Sequence, residues 1–263
     1  MIPRSYIEEW RSKAPWPDDF QVEQDLIIER AVVELFSDDL ISNNFAFRGG
    51  TALHKLFLSP QSRYSEDIDL VQVVSSPIKP IFQRLEKILS FIEGKRSIEQ
   101  RRSNNMIKYQ YESEIAPVKK MKLKIEINCR EKLCVYGINE KSFTTDSGWY
   151  SSDAKIKTYE IEELLGTKLR ALYQRRKGRD LFDLYWALTH ADMKIDRIVD
   201  SFRKYMNYNE TQIPSSKNFI SNLEKKIEDK EFTGDIHGLL RPSIVYDSEK
   251  AFDLVKAKIL IKI

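Results

Sequence analysis

The segment Ser65-Glu66-Asp67-Ile68-Asp69-Leu70 restricts what this chain can fold into more than any other. Polar and apolar residues alternate from Tyr64 to Val71, the period of a strand with one wet face, so Asp67 and Asp69 project to one side while Ile68 and Leu70 anchor the other in a core. Just upstream, Phe45 to Phe47 is a short apolar piece, Gly49-Gly50 breaks it, and Thr51 to Leu58 carries Leu53, Leu56 and Phe57 at helical spacing. The order is strand, tight turn, short helix, strand. Two glycines opening a helix leave backbone N–H groups uncovered where an anion can approach, and the helix dipole favours negative charge there, so a phosphate fits. Two carboxylates on one strand face repel unless a cation sits between them, and the hard, oxygen-seeking ion that accompanies nucleotide phosphates is Mg²⁺. Taken singly, a Gly-Gly pair is an ordinary turn and an Asp-x-Asp an ordinary solvated pair. Their conjunction in this order is what points to chemistry.

The rest of the chain supplies a mixed α/β frame. Val22, Leu26, Ile27, Ala31, Val32, Leu35 and Phe36 recur on one helix face that starts beyond Pro15-Trp16-Pro17, with Asp18 or Asp19 as N-cap. Ile78 to Glu93 has helical spacing, and Met106 to Tyr111 and Met121 to Asn128 alternate as strands. After about residue 158 the strand signals vanish. Helices are expected over Glu160 to Arg176, Leu181 to Ala191, Ile195 to Tyr205, Lys217 to Lys226 and Ser248 to Ile259. The expected organisation is therefore an N-terminal α/β domain over 1–155 and a C-terminal helical domain over 156–263, joined around residues 148–158. With 41% apolar residues, nine Gly and nine Pro, the chain can bury a core and is not of low complexity. No run approaches the ~18 apolar residues of a membrane span and no signal peptide is apparent, so a soluble, cytoplasmic protein is expected. Cys129 and Cys134 lack zinc-ligand spacing and read as free thiols.

Four further residues could carry chemistry. In Lys122 to Asn128, Leu123, Ile125 and Ile127 face the core, which puts Lys122, Lys124, Glu126 and Asn128 on the opposite face; beside the Asp strand, Glu126 would complete a carboxylate trio, and otherwise it is a solvent-facing acid offset by lysines. Lys168 falls within the apolar stripe Ile161, Leu164, Leu165, Leu169, Leu172, so its ammonium must either snorkel to water or reach an anion such as a triphosphate in a cleft between the two units. The helix ends at Lys177-Gly178, with Gly at the C′ position, and Asp180 and Asp183 share a flank of the next helix, as first-turn dipole partners or as functional acids. The 43 Lys plus Arg against 40 Asp plus Glu give a net charge of only +3, but basic runs at 117–124 and 164–179 would attract polyphosphates, RNA backbones included.

Arg48-Gly49-Gly50-Thr51-Ala52-Leu53, Arg63-Tyr64-Ser65-Glu66-Asp67-Ile68-Asp69-Leu70, and Lys168 to Leu172 with Arg179-Asp180-Leu181-Phe182-Asp183-Leu184 closely resemble the nucleotidyltransferase toxins of the AbiEii/AbiGii type, over about residues 20 to 190. The resemblance implies an α+β fold, with a DNA polymerase β-like nucleotidyltransferase core of mixed sheet and flanking helices followed by a helical unit. It implies that Gly49, Gly50, Thr51, Ser65 and Lys168 bind nucleotide, that Asp67 and Asp69, with Glu126 as a third position, hold Mg²⁺, and that Ser65, Lys168 and Asp183 are catalytic, with Asp180 competing for the last role. It further implies a toxin with a cognate antitoxin, using a nucleoside triphosphate and acting on RNA such as tRNA. Nucleotide transfer to a protein, or a fold that has lost turnover and binds RNA or a protein partner, are the alternatives; intact Asp67, Asp69 and Lys168 argue against the last.

Overall fold

The computed structural model describes residues 2–101 and 104–263, and the chain forms two compact units, Met1–Lys132 with Ile138–Thr158, and Leu133–Gly137 with Tyr159–Ile263. The first unit runs α1 (Arg4–Trp10), α2 (Asp19–Phe36), α3 (Asp39–Asn44), β1 (Phe45–Arg48), α4 (Gly49–Leu56), β2 (Asp67–Gln72) and α5 (Ile78–Ile88). Strands β3 (Lys95–Gln100), β4 (Asn104–Glu112), β5 (Lys120–Asn128), β6 (Ile138–Asp146) and β7 (Ser151–Tyr159) follow. Helix α2 starts where Pro17 and Asp18 put it: Asp18 is the N-cap, and its backbone N–H donates to Gln21 Oε1 at 3.3 Å. Its apolar stripe, from Val22 to Leu35, is buried.

Among the described residues the strands form one seven-stranded mixed sheet in the order β3-β4-β5-β2-β1-β7-β6. Strand β2 lies inside it, antiparallel to β1 and parallel to β5. This register sets Asp67 opposite Lys124 and Asp69 opposite Glu126 on one side, and Asp69 opposite Arg48 on the other. Ile68, Leu123, Ile125 and Ile127 are completely buried on the reverse face. Ile68→Asp should therefore cost more than about 3 kcal/mol, because it buries a charge with no counterion prepared for it. Urea unfolding of the variant beside the parent checks this, and an unchanged midpoint would mean that the strand faces are reversed.

Three strands carry no clear alternation in the sequence. Strand β3 is an edge whose side chains, Lys95, Arg96 and Ser97 among them, are mostly exposed; it is held by its ladder to β4, and its charges discourage further pairing. Strand β7 likewise begins with an exposed run, Ser151 to Asp153, and β6 is half-buried or exposed along nearly all its length. Residues 148–158, read from sequence as the junction, instead contribute most of β7, where Phe47 pairs with Thr158 and the Thr158 hydroxyl donates to the Phe47 carbonyl at 2.7 Å. The expected break after residue 155 thus falls inside a strand.

The second unit contains α6 (Ile161–Gln174), α7 (Gly178–His190), α8 (Ile195–Tyr208), α9 (Ser216–Ile227), α10 (Lys230–Gly234) and α11 (Ser248–Lys258). Helix α6 packs on both α7 and α8. Gly178 does not end α6, which stops at Gln174; it opens α7, where a Cβ would overlap the Phe232 carbonyl. Residues Leu133–Gly137 join this unit through Glu163, whose carboxylate accepts the backbone N–H of Val135 at 2.9 Å and of Tyr136 at 3.0 Å. Among the described residues no helix is long and apolar enough to cross a membrane.

Candidate active site

The chain leaves β1 at Arg48 and enters α4 through Gly49-Gly50. Gly49 has φ +79°, a conformation that costs glycine least, and a Cβ there would overlap Asp69 Oδ2. A Cβ on Gly50 would lie 2.5 Å from Arg63 Nη2 and 3.3 Å from Ser65 Oγ. The turn is therefore pressed against a β2 carboxylate on one side and a buried guanidinium on the other. Arg48 provides no side-chain cap and the first turn of α4 carries no acid of its own, so the carboxylate beside the positive end of the helix is that of Asp69, from β2.

Thr51 Oγ1 lies 2.8 Å from Ser65 Oγ and 2.5 Å from the Asp67 carbonyl oxygen. A carbonyl only accepts, so Thr51 gives its one hydrogen to Asp67 and takes that of Ser65. Gly49, Gly50, Thr51, Ser65, Asp67 and Asp69 are thereby joined into one constellation in the first unit, in the order strand, turn, helix, strand that the sequence suggests.

Glu126 lies on the same sheet face but departs from the expected carboxylate trio. Lys124 Nζ stands 2.9 Å from Asp67 Oδ2 and 2.6 Å from Glu126 Oε1, and Asn104 Nδ2 donates to Glu126 Oε2 at 3.3 Å. With this ammonium between them, the acids do not converge: among the described residues no group of three His, Cys, Asp or Glu side chains is placed to hold a metal ion. Burial raises the Asp67 carboxyl, Lys124 draws it down, and the charges of Glu66 and Glu126 help to leave it above the ordinary range. Burial pushes Glu126 upward too, but the hydrogen bond and charge of Lys124, with Asn104, hold it below. Burial opposes the charge on Lys124, yet Glu126 and Asp67 together raise its pKa. Alternation along β5 alone puts Lys124 on the face of Glu126; only the cross-strand register brings it to Asp67.

Lys168, Asp180 and Asp183 meet in the second unit. Lys168 Nζ lies 3.3 Å from Asp180 Oδ1 and 2.8 Å from Asp183 Oδ2, and Asp180 also takes a two-pronged contact from Arg175, at 2.6 and 2.7 Å. Lys168 is 8% exposed and both aspartates are 0% exposed. The lysine therefore does not snorkel to water; the anion it reaches is an aspartate pair. Asp180 is not spent on capping α7, since Lys177 holds the N-cap position and the Asp180 carboxylate is turned to two cations. Arg175, which sequence reading takes only as part of a basic run, is the second cation that lets two carboxylates be buried together. None of these residues lines the cavity of about 1060 Å³ in the first unit, whose walls include Lys95, Gln110, Glu112, Lys120 and Lys122.

A sequence profile described as nucleotidyl transferase AbiEii toxin, type IV TA system, matches residues 30–258, which takes in every residue of both clusters. The chain belongs to the AbiEii family. The AbiEii resemblance and the α+β nucleotidyltransferase fold expected from sequence are both borne out, and the chain is a nucleotidyltransferase of a toxin family whose systems pair toxin with antitoxin. The MenT4 nucleotidyltransferase toxin from Mycobacterium tuberculosis is similar in structure, with a TM-score of 0.68 and 13% identity over 100% of this chain and 90% of that one. JHP933 from Helicobacter pylori is similar with a TM-score of 0.60 and 19% identity over 93% of each chain. At such identities the likeness is one of fold. No curated protein matches this AbiEii chain in sequence.

Proposed function

We propose that this AbiEii chain is a Mg²⁺-dependent nucleotidyltransferase that moves a nucleotide from a nucleoside triphosphate to a hydroxyl of RNA, tRNA being the leading candidate. The observation that carries the reading is the side-chain-free Gly49-Gly50 turn pressed against the Asp67/Asp69 face, with Asp69 Oδ2 where a Gly49 Cβ would be. Asp67 and Asp69 fit Mg²⁺, which is commonly held by one or two carboxylates with its remaining positions left to water and phosphate oxygens. When bound, the ion would supply charge neutralisation at the phosphates. The N–H groups at the start of α4 would take phosphate oxygens, Thr51 and Ser65 would fix that turn to β2, and Glu126 would hold Lys124 beside the carboxylates. In the reaction the acceptor oxygen bonds to the α-phosphorus, the bond to the β-phosphate oxygen breaks, the hydroxyl proton is released and pyrophosphate leaves. Little covalent work falls to the protein; positioning and charge dominate. For Lys168 and Asp183, with Asp180 supporting them, we propose the family's downstream essential positions, a role favoured by the retention of a lysine and two aspartates in one costly buried cluster.

Incubation with each labelled nucleoside triphosphate, Mg²⁺ and either total RNA or total protein tests the reading. Label in RNA alone is expected; label in protein alone would move the acceptor to a protein hydroxyl, and label in neither would leave a binding module.

A further inference from the structure

We infer that Arg63 is the positively charged floor of the phosphate-binding turn, a positioning residue that holds the Gly50 backbone and biases the turn toward the polyphosphate end of the nucleotide. This inference rests on the reading of Gly49-Gly50-Thr51 as the phosphate site. Arg63 is 1% exposed and stands among the largest fully buried side chains of the molecule. A guanidinium is costly to bury unless its five N–H donors are occupied and its charge is used. Its Nη1 donates to the Tyr64 carbonyl at 2.9 Å, while Nη2 lies beneath Gly50, 2.5 Å from where a Cβ would be.

The two glycines thus face opposite charges. Gly49 packs on the Asp69 carboxylate and Gly50 on the Arg63 guanidinium. A nucleoside triphosphate lying along this turn meets carboxylates suited to a cation at one end and a fixed cation under the backbone at the other. The gradient gives the turn a direction. The loop that carries Arg63 is itself pinned: Ser62 Oγ lies 3.3 Å from His54 Nδ1, and Lys55 Nζ donates to Gln61 Oε1 at 3.0 Å. The guanidinium therefore cannot swing away cheaply, and its charge is in place before the nucleotide arrives, which is what makes such a charge effective. Arg63 sits four residues before Asp67, so one segment supplies both the floor of the turn and the metal face.

Titration calorimetry with inorganic tripolyphosphate in Mg²⁺ tests this. Arg63→Met, which keeps the volume and drops the charge, should weaken tripolyphosphate and nucleoside triphosphate binding by about 10- to 100-fold, the range for losing one charge-assisted contact. Arg63→Lys should recover most of that loss. In steady state the defect should fall on KM for the nucleotide more than on kcat. A purely structural role predicts that both variants lose affinity only in step with melting temperature, and that result would overturn the inference. If Arg63→Met does not fold, Gly50→Ala replaces it: its Cβ must displace Nη2, so its affinity loss should be large in the parent and smaller in Arg63→Lys, and equal losses would overturn the inference. A parent that binds tripolyphosphate as well as Arg63→Met does removes only the Arg63 role, whereas a parent that binds neither ligand removes the phosphate site with it.

Discussion

Asp67→Ala and Asp69→Ala are each expected to lower nucleotide transfer by on the order of 10³-fold, since losing a ligand to the neutralising ion forfeits several kcal/mol of transition-state stabilisation at about 1.4 kcal/mol per tenfold. The fold should survive both changes. Asp67 is only partly buried, its carboxyl is raised by burial and by the neighbouring acids, and Glu126 remains to pair with Lys124, so little stability depends on its charge. Asp69 shares the same partly open face, while the apolar residues that stabilise β2 point the other way. Single-turnover transfer at saturating nucleotide, read beside a melting curve, separates the two effects. Glu126→Gln provides the internal comparison. Its carboxylate pairs with Lys124 and Asn104, so it should cost less than either aspartate, and an equal loss would return Glu126 to the metal shell. Full Mg²⁺-dependent transfer by Asp67→Ala or Asp69→Ala would remove the two-aspartate site.

The parts of this molecule legible in sequence are those in which one local period decides the outcome. Alternation over Asp67 to Leu70 assigns both faces of β2 without knowledge of its neighbours, and Gly49-Gly50 marks a turn that no other residue pair would tolerate beside Asp69. What escaped is non-local. Lys124 has the right parity for the site face, but its place between Asp67 and Glu126 follows from a parallel register that no sequence period encodes. Strand β3 has no buried face to leave a pattern, and β7 is a strand because β1 pairs with its end. The stripe of α6 puts Lys168 among apolar residues, yet the acids it meets come from α7, and Arg175, whose side chain is largely exposed, gives no hint of its two-pronged grip on Asp180.

Those acids make Lys168→Met the second large effect. The substitution leaves Asp180 and Asp183, both 0% exposed, without the ammonium that contacts both. Removing one member of a buried ion cluster costs about 3–5 kcal/mol, where a snorkelling lysine would cost nothing and its replacement by Met could even stabilise. Adding Asp183→Asn to Lys168→Met removes one of the stranded charges and should restore most of the stability at neutral pH. Catalysis is expected to behave differently. If Lys168 holds the family's downstream essential position, as proposed, transfer should fall on the order of 10²–10³-fold in Lys168→Met, the range for losing one charged group of an active site, and the second substitution should not restore it. Urea denaturation and transfer assays on the same preparations read the two quantities independently. Unchanged stability of Lys168→Met would dissolve the ion cluster, while a stable double variant with parental transfer would confine Lys168 and Asp183 to holding α6 against α7.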